Sequence, residues 1–338
     1  MPAERESSHR LDPAVADVRR AVRTALADLE PGSSVVVACS GGADSMALAA
    51  ATAFESKLGG WLVRAVVVDH AQQDESAATS ALVASRLRAM GLGDVCVVRV
   101  EVSPEGSPEA AAREARYDAL ERAAGVDDAV VLLGHTRDDQ AETVLLGLAR
   151  GSGTRSLAGM APQQGRYRRP LLDLGRAVTT RACNVLGIEV WEDPHNSDGR
   201  YTRVRVRRDA LPALQEALGP GVVDALARTA AATRHDADAL DALAAELYAQ
   251  VGSGPGFSAG KLRVDALLEA PTALRRRALR LAALAAGSLA GELFAVHVDA
   301  VERLLTHWHG QAAINLPGRV SVVRRGDALC FRRGDLLR

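Results

Sequence analysis

The sequence predicts an α/β protein with a doubly wound, mostly parallel sheet, joined to a smaller, mainly helical C-terminal domain. Three observations carry this reading. Apolar, β-branched runs alternate with helical patterns from Val35 to Ala149. A bare glycine turn, Ser40-Gly41-Gly42, follows the first of those runs. Beyond about Ala210 the alternation stops and alanine-rich helix takes over.

The elements follow in order. Leu11 to Leu29 reads as an amphipathic helix ended by Glu30-Pro31-Gly32. Candidate strands are Val35 to Cys39, Leu62 to Val68, Val95 to Val102 and Ala129 to Leu133. Candidate helices are Asp44 to Lys57, Glu75 to Met90, Pro108 to Ala124 and Asp138 to Ala149. Arg150 to Tyr167 is glycine-rich and reads as an active-site loop. A helix from Gly175 to Leu186 and a short strand around Ile188 to Trp191 are expected next. Ala213 to Ala249 reads as long helix broken at Gly219-Pro220, and Gly252 to Gly256 as a turn. Pro271 to Leu289 and Val296 to His307 read as further helices, and Ala312 to Arg333 as small strands or a hairpin. The domain division placed on this pattern is 1–210 and 211–338.

The chain has 338 residues, 48% of them apolar, with a net charge of −1. That is globular composition, and the charge gives little support for a nucleic-acid partner. The positive charge is almost all arginine, Lys57 and Lys261 being the lysines. Arginines bunch at 166–169, 200–208, 275–280 and 324–333, and their planar forks suit phosphate. Each bunch, taken singly, also reads as a solvated face. Cys39, Cys96, Cys183 and Cys330 contain no Cys-x-x-Cys, which argues against a zinc site or redox pair. No run reaches membrane-spanning length, and Met1 to Arg10 is polar and charged, so a cytoplasmic location is expected.

The strongest motif is Ser40-Gly41-Gly42-Ala43-Asp44-Ser45. It runs from a buried strand through glycines into a helix N-terminus, where free N–H groups make an anion site. It lacks the Gly-Lys-[Ser/Thr] of a Walker A loop, so hydroxyls and amides must hold phosphates without a lysine. The pattern resembles the pyrophosphate loop of the N-type ATP pyrophosphatases. The second motif is Gly134-His135-Thr136-Arg137-Asp138-Asp139-Gln140-Ala141-Glu142-Thr143. Its carboxylates lie three and four residues apart on one helical flank. In a doubly wound sheet both motifs, with Asp69-His70, fall beyond the carboxyl ends of the strands.

Several further segments join these two motifs. They are Arg150-Gly151-Ser152-Gly153, Leu157-Ala158-Gly159-Met160, Ala112 to Tyr117, and Trp191-Glu192-Asp193-Pro194-His195-Asn196 leading to Tyr201 through Arg207 and Leu211-Pro212. In this order, over roughly Ser33 to Leu214, the chain resembles the tRNA(Ile)-lysidine synthetases. The resemblance implies ATP-dependent attachment of L-lysine to C2 of the wobble cytidine in a CAU-anticodon isoleucine tRNA. It proceeds through an adenylated cytidine with loss of pyrophosphate and then AMP, and it implies Mg2+. It places the ATP phosphates on Ser40, Gly41, Gly42, Ala43, Asp44 and Ser45. It puts nucleotide near Asp69 and His70, and the lysine ammonium at Asp139 and Glu142, with Asp139 as proton acceptor. Asp44 either caps its helix or holds the metal. His135 orients Asp139, touches phosphate or is a plain turn histidine. Arg113 and Arg116 balance the adenylate or bind the lysine carboxylate, and Arg116 reads equally as an exposed helix residue. Trp191, Asn196, Arg203, Arg205 and Arg207 belong to the implied tRNA edge, and their Arg/Val alternation fits either a strand or entry into a helix.

The chain departs from the family pattern at Ala71-Gln72-Gln73 and at Ser156, and it is short after Ala210. The sequence leaves the oligomeric state open, a homodimer included. Two rival readings are a tRNA thiolation enzyme of the same superfamily and a non-catalytic ATP-binding regulatory module. The first needs paired cysteines or an iron–sulfur cluster, and the second leaves the acidic cluster unexplained.

Overall fold

The computed structural model describes residues 11–69, 76–100, 108–125, 128–151, 154–191, 198–252 and 260–334. His70 and Asn196, both expected at the site, lie outside the described residues, as does Ala71-Gln72-Gln73.

The chain opens with α1 (Pro13–Ala25), where the Asp12 carboxylate accepts a hydrogen bond from the Ala14 amide at 2.9 Å. Pro13 sits where a helix needs no donor. Then come β1 (Ser34–Cys39), α2 (Ala43–Gly59), β2 (Leu62–Asp69), α3 (Ser76–Ala89), β3 (Asp94–Arg99), α4 (Pro108–Ala124), β4 (Val130–Leu132) and α5 (Arg137–Ala149). After α6 (Thr154–Leu157), two short strands follow, β5 (Gln163–Gln164) and β6 (Tyr167–Arg168). Next are α7 (Arg176–Val185), α8 (Thr202–Arg205), a π-helical turn over Val206–Ala210, α9 (Leu211–Leu218) and α10 (Val222–Val251). The remainder is β7 (Lys261–Arg263), α11 (Val264–Glu269), α12 (Thr272–Ala285), α13 (Ala295–Thr306), β8 (Ile314–Leu316), β9 (Val320–Arg325) and β10 (Ala328–Arg333).

The first sheet has the order β3-β2-β1-β4-β6-β5, parallel except for β5. Side chains alternate faces along each strand. Val35, Val37 and Cys39 of β1, with Ala65 and Val67 of β2, join the core that includes α1, α2 and residues of α3 and α7. Val36, Val66, Val131 and Leu133 turn the other way, onto Leu120 and Ala124 of α4. Both faces are therefore covered, which explains the unbroken apolar runs in the sequence. A fully buried Leu or Val contributes about 1.5–3 kcal/mol in such a layer.

β1 has β2 on one side and β4 on the other, so the winding direction reverses between β1 and β4. That switch point opens a crevice at the strands' carboxyl ends. The loops after β1 and β4 meet there closely. A Cβ on Gly134 would lie 3.1 Å from the Cα and N of Ser45 and 3.2 Å from the carbonyl carbon of Asp44. Glycine is what allows the first turn of α2 to rest against the end of β4. Gly41, at φ +87°, is constrained twice, because a Cβ there would also come 2.6 Å from Val83.

The chain divides into two compact units, 1–149 with 159–230, and 150–158 with 231–338. The second has its own core, including Leu262, Leu267, Leu279, Leu304, Leu329 and Phe331, under an antiparallel sheet β7-β10-β9-β8. Within it, Arg275 and Glu302 pair at 2.8 Å between α12 and α13. Arg276 pairs with Asp299, Arg277 with Asp241 at 2.7 Å, and Arg280 donates to backbone carbonyls. The 275–280 arginine bunch is thus held by internal partners instead of forming a bare phosphate-facing surface.

The structure corrects two expectations and decides a third point that the sequence left open. Residues 188–191 form no strand; Trp191 donates its N–H to the Gly41 carbonyl at 2.9 Å and backs the loop. The stretch 150–167, expected as a loop, contains α6, β5 and the first residue of β6, and β6 extends the parallel sheet. The Arg/Val run at 203–208 is helical, α8 passing into the π turn. Its apolar positions are too few and too closely interleaved with arginine to build a sheet core.

Gly134→Ala forces a backbone against backbone, which cannot yield as a side chain does. It is expected to lower stability by about 1–3 kcal/mol in urea unfolding and to weaken ATP binding. An unchanged midpoint with unchanged ATP affinity would contradict this account of the loop's seat.

Candidate active site

The phosphate-type loop is preformed by its own hydroxyls. Ser45 Oγ donates to the Gly42 carbonyl at 2.9 Å and accepts from the Ser40 amide at 3.2 Å. The two serine hydroxyls lie 3.3 Å apart. No side chain caps the first turn of α2, so its amides and helix dipole face the crevice. Asp44 stands in that turn. Its carboxylate accepts from the Thr179 hydroxyl and, at 3.4 Å, from Arg176 Nε. Burial pushes the Asp44 carboxyl up, against the pull of Thr179 and Arg176.

Across the switch point, α5 carries Asp138, Asp139 and Glu142 in its first turns. Asp139 is buried and Glu142 fully so. The Thr136 amide and hydroxyl donate to Asp139 Oδ2 at 2.8 and 2.9 Å. Arg176 Nη2 and Arg207 Nη2 donate to Asp139 Oδ1 at 2.9 and 3.2 Å. Glu142 receives a two-pronged Arg207 guanidinium, Nε to Oε1 at 2.6 Å and Nη2 to Oε2 at 3.1 Å. Arg176 and Arg203 stand 3.6 and 3.7 Å from the same carboxylate. Asp138 accepts from the Arg176 amide at 2.7 Å. Three carboxylates, Asp44, Asp139 and Glu142, therefore interlock with three guanidiniums, and Asp138 holds the backbone of one of those arginines. Removing one partner from a buried pair of this kind costs about 3–5 kcal/mol.

Burial alone would raise the Asp139 carboxyl, but Arg176, the Thr136 amide and Arg207 outweigh it and hold the group below its ordinary range. As it stands, Asp139 is a strong ion-pair partner and a weak proton acceptor. Arg176 is shifted the other way: burial opposes its charge, and Asp139, Asp44, Glu142 and Asp138 more than restore it.

A region of opposite sign lies beside this one. Burial, then Arg116, Arg169 and Arg113, push the His135 imidazole well below its ordinary 6.5, against the pull of Asp139. His135 is neutral, and its buried Nδ1 has no hydrogen-bond partner. Arg116 Nε is likewise buried and unpartnered. Arg113 donates to the Tyr117 hydroxyl at 3.2 Å and lies 4.9 Å over its ring. Arg169 donates to the Ala161 carbonyl at 2.7 Å. Guanidiniums facing a neutral imidazole with unused donors make a place for an anion.

Of the residues expected on the tRNA edge, Arg203 and Arg207 turn inward onto Glu142. Arg205 donates to the Gly199 and Arg200 carbonyls at 2.8 and 3.0 Å. Asp69 is buried at the end of β2, its carbonyl accepting from Val100 at 2.8 Å. Thr136, Arg169, Arg176 and Thr179 were not singled out from the sequence. One signal pointed to Arg176: an arginine in the first turn of a helix opposes the helix dipole and needs carboxylate partners to sit there.

Together the reversed sheet, the lysine-free glycine loop and the acidic helix start define a PP-loop ATP-binding protein. A PP-loop domain model matches residues 15–214, and a TilS substrate binding domain model matches residues 262–330. The tRNA(Ile)-lysidine synthase of Thermobifida fusca (strain YX) is 55% identical over 93% of this chain and 95% of its own. Those of Streptomyces coelicolor and Leifsonia xyli subsp. xyli are 55% and 50% identical, over 89% and 90% of this chain and 85% and 91% of theirs. The chain belongs to the tRNA(Ile)-lysidine synthase family. Among solved structures, the U34-tRNA thiolase NcsA from Methanococcus maripaludis with its [4Fe-4S] cluster superposes with a TM-score of 0.53. It covers 64% of this chain and 78% of its own at 17% identity, a likeness of fold alone.

The low His135 value has a stability consequence. Below about pH 6.5 the unfolded chain takes up a proton that the folded protein refuses. Stability therefore falls as pH drops through that value and levels off above it. His135→Gln is expected to flatten the curve between about pH 4.5 and 6.5, by at most ~1.4 kcal/mol per pH unit, in urea melts at stepped pH. An unaltered slope would show that His135 is protonated in the folded state.

Proposed function

We propose that this chain joins L-lysine to C2 of the wobble cytidine of CAU-anticodon tRNA(Ile) at the expense of ATP. The activity is the one its relatives' names carry. The observation that supports it best is the single crevice holding an uncapped phosphate loop and a buried carboxylate pair. ATP phosphates fit the serine hydroxyls and the free amides of α2. The cytidine O2 attacks the α-phosphorus and pyrophosphate leaves. The ε-amine of lysine then attacks C2, and AMP departs with that oxygen. A cytosine carbonyl is a poor electrophile until its oxygen becomes a leaving group, which is what adenylation provides. Asp139 and Glu142 hold the lysine ammonium, and Asp139 takes its proton once the Arg207 guanidinium no longer depresses it. Arg113 and Arg116 offset the adenylate charge.

Mg2+ arriving with ATP fits Asp44, whose carboxylate keeps lone pairs beyond those used by Thr179 and Arg176. That ion takes one or two protein carboxylates plus phosphate oxygens and would neutralise phosphate charge there. A thiolation reading has less support. All four cysteines are free, Cys39 and Cys183 are buried, and burial raises both their thiols. No described helix is long and apolar enough to cross a membrane, and a cytoplasmic location belongs to the same reading.

The test supplies ATP, radiolabelled lysine and CAU-anticodon tRNA(Ile). Label should enter RNA with release of AMP and pyrophosphate; ADP and orthophosphate would refute the reading. In the same assay Asp139→Asn is expected to bind ATP normally and lose incorporation by about 100-fold or more. Full incorporation by that variant would remove Asp139 from its role.

A further inference from the structure

The carboxylates assigned to the lysine ammonium are already occupied. Glu142 is fully buried and gripped at both oxygens by Arg207, whose Nη2 also reaches Asp139. A substrate ammonium cannot take the same lone pairs while the guanidinium stays. The geometry points to Arg207 as an internal stand-in for the substrate amine, displaced when tRNA binds. The inference rests on the function proposed for this chain and concerns how that site is opened.

Three features support it. The exchange conserves charge: one cation leaves the buried carboxylates as another arrives, so they are never left bare. Arg207 also belongs to a dense positive run, with Arg200, Arg203, Arg205 and Arg208 on the same segment. A phosphodiester backbone approaching that run competes for its forks. Finally, Arg207 sits in the π-helical turn Val206–Ala210 between two α-helical pieces. A π turn holds one residue more than α geometry needs. Relaxing it would rotate one helical piece against the other by about 100° and carry Arg207 off Glu142.

Arg176 touches the same carboxylates but comes from α7 and also pairs with Asp44. It serves as the control. Equilibrium dialysis of radiolabelled L-lysine would be run on wild type, Arg207→Gln and Arg176→Gln, with and without full CAU-anticodon tRNA(Ile). Wild type is expected to bind lysine at least about fivefold tighter with tRNA present. Arg207→Gln should bind tightly without tRNA and gain nothing from it, and Arg176→Gln should keep the tRNA dependence. By reciprocity lysine should tighten tRNA binding in wild type and not in Arg207→Gln. Equal lysine affinity in wild type and Arg207→Gln, or loss of the dependence in Arg176→Gln as well, would overturn the inference. Should Arg207→Gln fail to fold, the wild-type arms decide: no gain from tRNA overturns it. The incorporation assay on wild type separates the two readings. No label in RNA sinks the proposed function, and label with tRNA-independent lysine binding sinks only the displacement of Arg207.

Discussion

Glu142 and Asp139 are buried carboxylates paired with cations brought from elsewhere in the chain, and that pairing organises the catalytic unit. The cations come from α7 and from the 202–210 helical segment, 34 to 68 residues away in sequence. Each pairing fastens a distant piece of chain to the carboxyl edge of the sheet. The acids assigned to substrate are thus also the anchors of the segments around them. A site built this way places polar groups where a purely stabilising design would place apolar ones. The remainder of the unit supplies rigidity, through β-strands covered on both faces and the close seat of α2 against Gly134.

The crevice is divided by sign. On one flank, Asp44, Asp138, Asp139 and Glu142 outnumber Arg176, Arg203 and Arg207 by one charge. On the other, Arg113, Arg116 and Arg169 surround His135, with Arg113 bonded to a tyrosine hydroxyl and Arg169 to a backbone carbonyl. Burial lowers Arg116, yet a guanidinium keeps its proton in a protein. The imidazole is the group that yields, and it is neutral. Such a division suits a reaction between a cationic amine and an anionic adenylate. Attraction alone would bind the two reactants to each other; separate sites of opposite sign hold each where the chemistry needs it.

The parts of this site written in contiguous residues were legible in the sequence. The Ser40 to Ser45 turn and the acidic start of α5 declare themselves, because strand, glycine and cap-type residues follow one another directly. The doubly wound sheet was legible for the same reason, since β1 carries an unbroken apolar run, β2 is interrupted only at Arg64 before its terminal Asp69, and β3 is apolar between Asp94 and Arg99. β6 was not, because two residues carry no period. Arginine was the least legible residue. Its bunches were visible at 166–169, 200–208 and 275–280, but the direction of a long side chain is set by tertiary partners. Arg168 is taken up by Asp28 and the Ala25 carbonyl, Arg275 by Glu302, and Arg207 by Glu142. Trp191 shows the same limit: its place behind Gly41 comes from a backbone hydrogen bond that no spacing announces.

In a chain whose positive charge is almost all arginine, the use of arginine around these carboxylates has a chemical consequence. Lys57 and Lys261 are the chain's lysines, and neither is among the site's cations. A primary amine held against Asp139 and Glu142 would be a copy of the proposed substrate. Once its proton was lost, it could attack an activated base and end the enzyme's turnover as a covalent adduct. A guanidinium supplies the same counter-charge in a fork that matches Glu142 with two hydrogen bonds. It stays protonated throughout the pH range in which proteins fold, so it has no lone pair to offer. The acid pair can therefore be kept neutralised between turnovers by a cation that cannot react.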